Sequence, residues 1–496
     1  MVANETEACD LTAIDARRLI GDKKLSPVEL LDSCIGRIEA VDHAVNAIPA
    51  RDFERARAAA RAAETAVMAG ERLGALHGLP IAIKDLEDAE GLVNSQGSPI
   101  YAADVRPADQ RSVAMVRAAG AVIVGKSNVP EFGAGANSRN RVYGATGNPF
   151  DPSKSAAGSS GGSAVALACG MVPLATGSDT GGSLRNPAAF DGIVGFRPSP
   201  GLVPNEKAGH GWSVLSVLGP MARNVADAAL LMSAMTGGDG RDPLAGMRQG
   251  RSAFSALAEL DLSSLRVALT PDFGQAPTER QIADAFAEKT GLFRDCCGRA
   301  DDAHPDCSGG DEAFEVLRSL GFLSKHAEHV RTRPGDLGPN IHANFEEGLA
   351  YSAMDVARAM KAQTDMYRRW QAFFETYDVL LSPAITISPR PWGELYPAEI
   401  DGRPTRTYFH WLALAYYPSL VGHPALSLPV GLDRNGMPFG LQIVGPQGGD
   451  ALVLQVAAAL ERALAGDART RRPVPDLDAL RRAPPIADAP NFRTLV

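Results

Sequence analysis

The sequence predicts an α/β fold: one continuous core in which a largely parallel sheet is covered by helices on both faces. Three observations carry that reading. Short apolar runs alternate with helical segments, the pattern left by strands buried on both sides. No linker long enough to separate domains and no internal repeat interrupts the 496 residues. Apolar residues make up 45% of the chain and charged residues 22%, an ordinary globular composition.

The elements follow in order. Ser26-Pro27-Val28-Glu29 is a capping box with proline at the first helical position, opening a helix to about residue 40. Residues 51–73 are rich in alanine and arginine and helical by propensity. Residues 79–84 form an apolar strand, 111–119 a helix and 121–125 a second buried strand. A small-residue helix at 163–169 leads into a strand at 172–177. Further on, 224–235 and 451–464 read as helices, and 265–269, 378–381, 425–430 and 439–444 as strands. The chain thus divides into N-terminal helices (1–75), a core holding the motifs discussed below (76–235), a surface insertion (290–312) and an extended tail (466–496). Within the insertion, 294–310 is polar and is expected to loop out.

The net charge of −9 argues against a nucleic-acid or anionic-membrane partner. The acidic start, Met1 to Glu7, has no basic and no apolar region, so no secretory signal is read. The most apolar stretch, residues 164–175, is broken by Gly170 and Pro173 and falls short of the ~18–20 residues that span a bilayer. Cys9, Cys34 and Cys169 are scattered; Cys296, Cys297 and Cys307 gather near His304 at a spacing that fits no zinc site. Reduced thiols, a cytoplasmic location, no metal and no cofactor are expected.

Two glycine-serine clusters carry the chemistry: Gly158-Ser159-Ser160-Gly161-Gly162-Ser163 and Asp179-Thr180-Gly181-Gly182-Ser183. A serine hydroxyl needs a base to become a nucleophile, and no histidine stands near either cluster. A lysine serves if burial keeps its amine neutral. Lys84 ends an apolar strand, where sites gather in parallel sheets. Asp85 falls on the opposite face and need not pair with it. The second cluster is a tight turn between a strand and a helix N-terminus. Its successive amides, from Thr180 through Gly181 and Gly182 to Ser183, form a nest for an oxyanion. Ser183 is therefore read as nucleophile, Ser159 as proton relay and Lys84 as base. Lys126, in Gly125-Lys126-Ser127-Asn128, is read as structural.

The combination resembles the amidase signature family. Gly158 to Ala164 and Gly177-Ser178-Asp179-Thr180-Gly181-Gly182-Ser183-Leu184-Arg185 carry the likeness. So do Gly192 to Pro198, Gly219 to Arg223, Gly422 to Pro429 and Gly436 to Gln442. The resemblance implies a single α/β/α sandwich with a large mixed, mostly parallel sheet of about eleven strands. It also implies a serine–cis-serine–lysine triad: Ser183, Ser159 with a cis peptide, and Lys84, with Ser160, Asp179 and Arg185 in support. The implied reaction is cofactor-free hydrolysis of an amide through an acyl-serine. Ala157 and Ser178 depart from residues frequent in the family, and neither is expected to touch the relay.

Two rival enzymes share features. The A subunit of glutamyl-tRNA amidotransferase grips free glutamine with an arginine and an aspartate, where this chain aligns Gln363 and Leu412. An α/β-hydrolase would use Ser160 in Gly158-Ser159-Ser160-Gly161-Gly162, but that elbow needs a strand before it, and Asn148 to Lys154 cannot supply one. A binding protein on an inactive scaffold is disfavoured by the presence of all three triad residues. Trp392, Tyr408, Trp411 and Tyr416 belong to an aromatic cluster read as a substrate pocket, which favours an apolar or aryl acyl amide, with anilides, esters and carbamates open to the same mechanism. The expected partner is a small-molecule amide, and a homodimer is the default assembly.

Overall fold

The computed structural model describes residues 7–247, 254 and 257–494. The reading of Met1 to Thr6 as free of a leader, and the last two residues of the tail, lie outside these residues.

Among the described residues eleven strands form one sheet. In chain order they are β1 (Ala50–Arg51), β2 (Pro80–Lys84), β3 (Val122–Ser127), β4 (Leu174–Asp179), β5 (Val194–Arg197), β6 (Val217–Ala222), β7 (Arg266–Leu269), β8 (Arg299–Asp302), β9 (Val379–Pro383), β10 (Ala425–Leu432) and β11 (Pro438–Val444). Their spatial order is β1-β3-β2-β4-β6-β5-β10-β11-β9-β7-β8. The neighbours β3–β2–β4 and β9–β7–β8 are parallel. Everything from β4 through β6, β5, β10 and β11 to β9 is antiparallel. The sheet is mixed, as expected, but it is not mostly parallel. The reason is physical: central strands such as β6 and β11 are buried along their whole length. A strand covered on both faces shows the same continuous apolar run in either direction.

Side-chain alternation along β2 sorts the two faces. Ile81 and Ile83 join the core under helices Val225–Met235 and Asp450–Leu464, whereas Ala82 joins the core under Pro27–Val45 and Gly161–Ala168. The period of two then puts Lys84 on the side of Gly161–Ala168 and Asp85 on the other. Asp85 accordingly faces Lys126, 3.5 Å away, and both are fully buried. The Lys126 amine also meets Asn94 at 3.0 Å and the Glu87 carbonyl.

The capping box at Ser26 and Glu29 opens Pro27–Val45 as read. The expected surface insertion is not a loop. Arg299–Asp302 pairs in parallel with β7 and closes the sheet edge. Its Arg-Ala-Asp-Asp sequence hid this, because an edge strand keeps polar side chains in water. Cys296 is exposed, Cys307 is buried, and all six cysteines are free. The tail carries a short helix, Leu477–Arg482, and packs Ile486 and Phe492 against Ala145 and Trp392. Three long helices went unread: Gly310–Thr332, Pro339–Ala350 and Ala353–Thr376. Each buries only a few of its residues, and the first two bury polar ones (Ser319, His326 and Asn344), so no continuous apolar stripe marks them. No helix among the described residues is long and apolar enough to cross a membrane.

Candidate active site

Lys84 ends β2 with its side chain fully buried. Its backbone N–H donates to Thr176 Oγ1 on the neighbouring strand at 3.0 Å, which fixes where the side chain leaves the sheet. The amine reaches three hydroxyls: Ser159 Oγ at 2.8 Å, Ser160 Oγ at 2.7 Å and Ser178 Oγ at 2.8 Å. The Ser178 carbonyl lies at 3.3 Å. Burial pushes the amine down from its ordinary value to about 7, against the opposing fields of Glu87 and Asp179. A neutral amine donates two hydrogens and accepts one, so a hydroxyl in this ring can hand it a proton.

The first cluster delivers two of these hydroxyls. Gly158-Ser159 is a cis peptide. Ser160 stands at the N-terminus of Gly161–Ala168, a helix buried throughout. Ser138 pins the approach, its N–H donating to the Ala157 carbonyl at 2.9 Å and its Oγ accepting the Gly161 N–H at 3.0 Å. Ser178 was expected to stay clear of Lys84, and the structure corrects this. In β4, Ser178 and Thr176 share a face by the two-residue period, so both side chains project toward Lys84.

The second cluster is a turn folded around Asp179. This carboxylate is fully buried and accepts the Gly182 N–H at 2.8 Å and the Leu184 N–H at 3.2 Å. Arg185 grips it through Nε and Nη2, both at 3.0 Å, and Arg197 through Nη1 at 3.1 Å. The two guanidiniums hold its pKa well below the usual carboxylate range. Arg185 also donates to Gln442 Oε1 at 2.6 Å and Ser419 Oγ at 2.7 Å, tying the turn to β11 and to helix Ala413–Leu420. Two buried cations against one carboxylate leave the ground behind the turn positive. Gly182 has φ of 114°, and a Cβ there would sit 2.5 Å from Ala415 Cβ. A Cβ on Gly181 would sit 2.8 Å from Phe314 Cζ. Only glycine lets the turn close. The expected oxyanion donors need one correction: the Gly182 amide is already taken by Asp179. The amides of Thr180, Gly181 and Ser183 remain.

Ser159, Ser178, Thr180, Gly181 and Ser183 line one cavity of about 220 Å³. Its far wall is aromatic, with Phe132, Phe314, Phe322, Tyr408 and Phe409. Of the four aromatic residues expected there, only Tyr408 lines it. Trp411 is core, its Nε1 donating to the Tyr408 carbonyl at 2.6 Å. Tyr416 lies behind the wall, stacked on Phe314 at 4.3 Å and donating to Asp311 Oδ1 at 2.7 Å. Trp392 lies elsewhere, against the C-terminal tail. Sequence proximity grouped these four, but alternate positions on a short helix and its approach face different ways.

Sequence reasoning also missed the role of Arg197, although its motif was in view, and the wall provided by Gly310–Thr332. The only signal for the latter is the three-and-four spacing of Phe314, Arg318, Gly321, Phe322 and Lys325.

Comparison with known proteins places this geometry in a class. The amidase family model matches residues 29–454, so the chain belongs to the amidase family, the amidase signature enzymes. It is thereby an enzyme of carbon–nitrogen bond hydrolysis. Among particular proteins, it is 32% identical to the acylamidase of Rhodococcus erythropolis, over 91% of this chain and 95% of that one. It is 33% identical to the A subunit of the glutamyl-tRNA(Gln) amidotransferase of Acidothermus cellulolyticus, over 91% and 94%. The crystal structure of a bacterial aryl acylamidase of the amidase signature family superimposes with a TM-score of 0.84 at 27% identity, over 91% of this chain and 96% of that one.

Proposed function

We propose that the protein hydrolyses amides of apolar or aryl character through an acyl-serine on Ser183. The observation that carries this is the buried Lys84 amine, held near neutrality and ringed by hydroxyls, two of which, those of Ser159 and Ser178, share a cavity with Ser183. Lys84 takes the Ser159 proton as Ser159 takes the Ser183 proton, and Ser183 Oγ attacks the amide carbonyl. The tetrahedral oxyanion rests on the amides of Thr180, Gly181 and Ser183, with the Arg185 and Arg197 charges behind them. The proton returns through Ser159 to the leaving nitrogen, and the amine departs. Water, deprotonated by the same relay, cleaves the acyl-serine and releases a carboxylate. Esters, anilides and carbamates fit the same sequence of steps.

The test is active-site labelling with a substrate panel. A fluorophosphonate should modify Ser183, mapped by mass spectrometry. The purified chain should hydrolyse an anilide or aryl amide with no other protein added. Unlabelled Ser183 in folded protein, or hydrolysis that needs a partner, would defeat the proposal.

The likeness to amidotransferase A subunits supports a second reading, a glutaminase. Free glutamine needs an acid for its ammonium. Gln363 instead donates to the Leu420 carbonyl, Leu412 lines the cavity, and no aspartate or glutamate lines it among the described residues. These features favour the hydrolase.

Ser178→Ala removes one of the three hydroxyls around the amine. At about 1 kcal/mol for such a bond, kcat/KM should fall roughly five- to tenfold while Ser183 labelling persists. Steady-state kinetics on the best panel substrate checks it; an unchanged rate would mean the contact is idle.

A further inference from the structure

Helix Gly310–Thr332 turns one face to the cavity, through Phe314, Leu317, Arg318, Gly321, Phe322 and Lys325. Phe314 lies over Gly181 in the oxyanion turn. Arg318 follows four residues later, about 6 Å along the helix axis. Lys325 lies about 10 Å further, beside Gly209 on the opposite wall.

Arg318 is held between two rings. Its guanidinium lies 4.9 Å from the Tyr408 ring centre and 4.7 Å from that of Phe409. One N–H goes to Asn344 Oδ1. The acids on its own helix are engaged elsewhere: Arg406 lies 3.4 Å from Asp311, 3.6 Å from Glu312 and 2.9 Å from Glu315, and Arg331 lies 2.6 Å from Glu328. Glu347, whose field also reaches Arg318, accepts from the Tyr351 hydroxyl at 2.9 Å. Among the described residues Arg318 makes no ion pair. Lys207, Arg318 and Lys325 line the cavity and, among the described residues, no carboxylate does; of the three, Lys207 pairs with Asp88 at 3.5 Å.

An oriented, unpaired guanidinium on an aromatic wall is a fork for a planar anion. We infer that the substrate carries a carboxylate about one aryl ring's length from the scissile carbonyl, and that Arg318 binds it. This rests on the amidase reading and narrows its substrate to anionic aryl or apolar amides. A structural role for Arg318, fixing Tyr408 through Asn344, would give no charge preference.

Matched pairs test it. 4-Acetamidobenzoate against acetanilide places the charge on the amine side, and 4-carbamoylbenzoate against benzamide places it on the acyl side. In at least one pair the anion should show a kcat/KM at least tenfold above its neutral partner, chiefly through KM. Arg318→Met should collapse that ratio toward one, and Arg318→Lys should restore part of it. Protection of Ser183 from the fluorophosphonate reads binding even where turnover is slow. A ratio at or below one in both pairs, with no preferential protection by the anions, overturns the inference. So does a ratio that survives Arg318→Met. Failure of all four compounds together with failure of Ser183 to label overturns the amidase reading beneath it.

Discussion

Replacing Lys84 with methionine should abolish hydrolysis and, at neutral pH, make the fold more stable. The activity side follows from the proposed relay: without an amine to receive its proton, Ser159 would not activate Ser183. A positioned general base contributes about 10²–10⁴-fold, so a loss of at least 10³ in kcat/KM is expected. In the wild type, kcat/KM should rise with pH through about 7, as the amine loses its proton. The stability side follows from burial. Folding lowers this amine from 10.5 to about 7, so at or below pH 7 the folded chain bears a cost of roughly 4–5 kcal/mol, at ~1.36 kcal/mol per unit. Methionine fills the space without that cost. It gives up three hydroxyl contacts, at about 1 kcal/mol each. The net gain should be about 1–2 kcal/mol below pH 7. Between pH 7 and about 10 the unfolded lysine stays protonated while the folded one does not. The wild type therefore gains on the variant by about 1.4 kcal/mol per pH unit, and the order reverses in mild alkali. Urea melts at pH 6 and pH 9 check the crossover. A variant that keeps turnover, or one that is less stable at pH 6, would contradict the account.

Much of this centre was legible because each part needs an unusual residue. A lysine at the end of an apolar run, glycines inside a strand-to-helix turn and adjacent serines before a small-residue helix are all costly without a purpose. Ser178 was not legible. Its position on β4 makes it a neighbour of Lys84 only through the parallel pairing of β2 with β4, a contact between distant segments. The Gly182 amide illustrates a related limit. Sequence shows that a turn can offer amides, but not that Asp179 folds back to consume one. The cavity wall was hidden for the opposite reason. Phe314, Arg318, Phe322 and Lys325 mix apolar and cationic residues on one face, and that pattern is neither a core stripe nor a solvent stripe. A helix that lines a site need not be amphipathic in the usual sense, because its partner is a ligand.

Asp179→Ala should be the most damaging single change to the fold around the site. The carboxylate is fully buried and satisfies Arg185, Arg197 and two amides of the turn. Removing it leaves two buried guanidiniums facing each other with no counter-ion, a change that typically costs 3–5 kcal/mol. The Gly182 and Leu184 amides lose their acceptor together, so the turn that presents Ser183 loses its shape as well. Stability should fall by about that amount in urea titrations, and fluorophosphonate labelling of Ser183 should slow in whatever folded protein remains. Asp179→Asn separates the two effects. It keeps an oxygen for an amide of the turn but not the charge, so labelling should recover more than stability does. The pH dependence gives an independent reading. Because the folded carboxylate titrates well below its ordinary value, its stabilisation is complete above about pH 4–5 and is lost as pH falls further. Wild type and variant should therefore converge in acid and separate toward neutrality. A gap that stayed constant across that range would mean the charge of Asp179 is not what holds the turn.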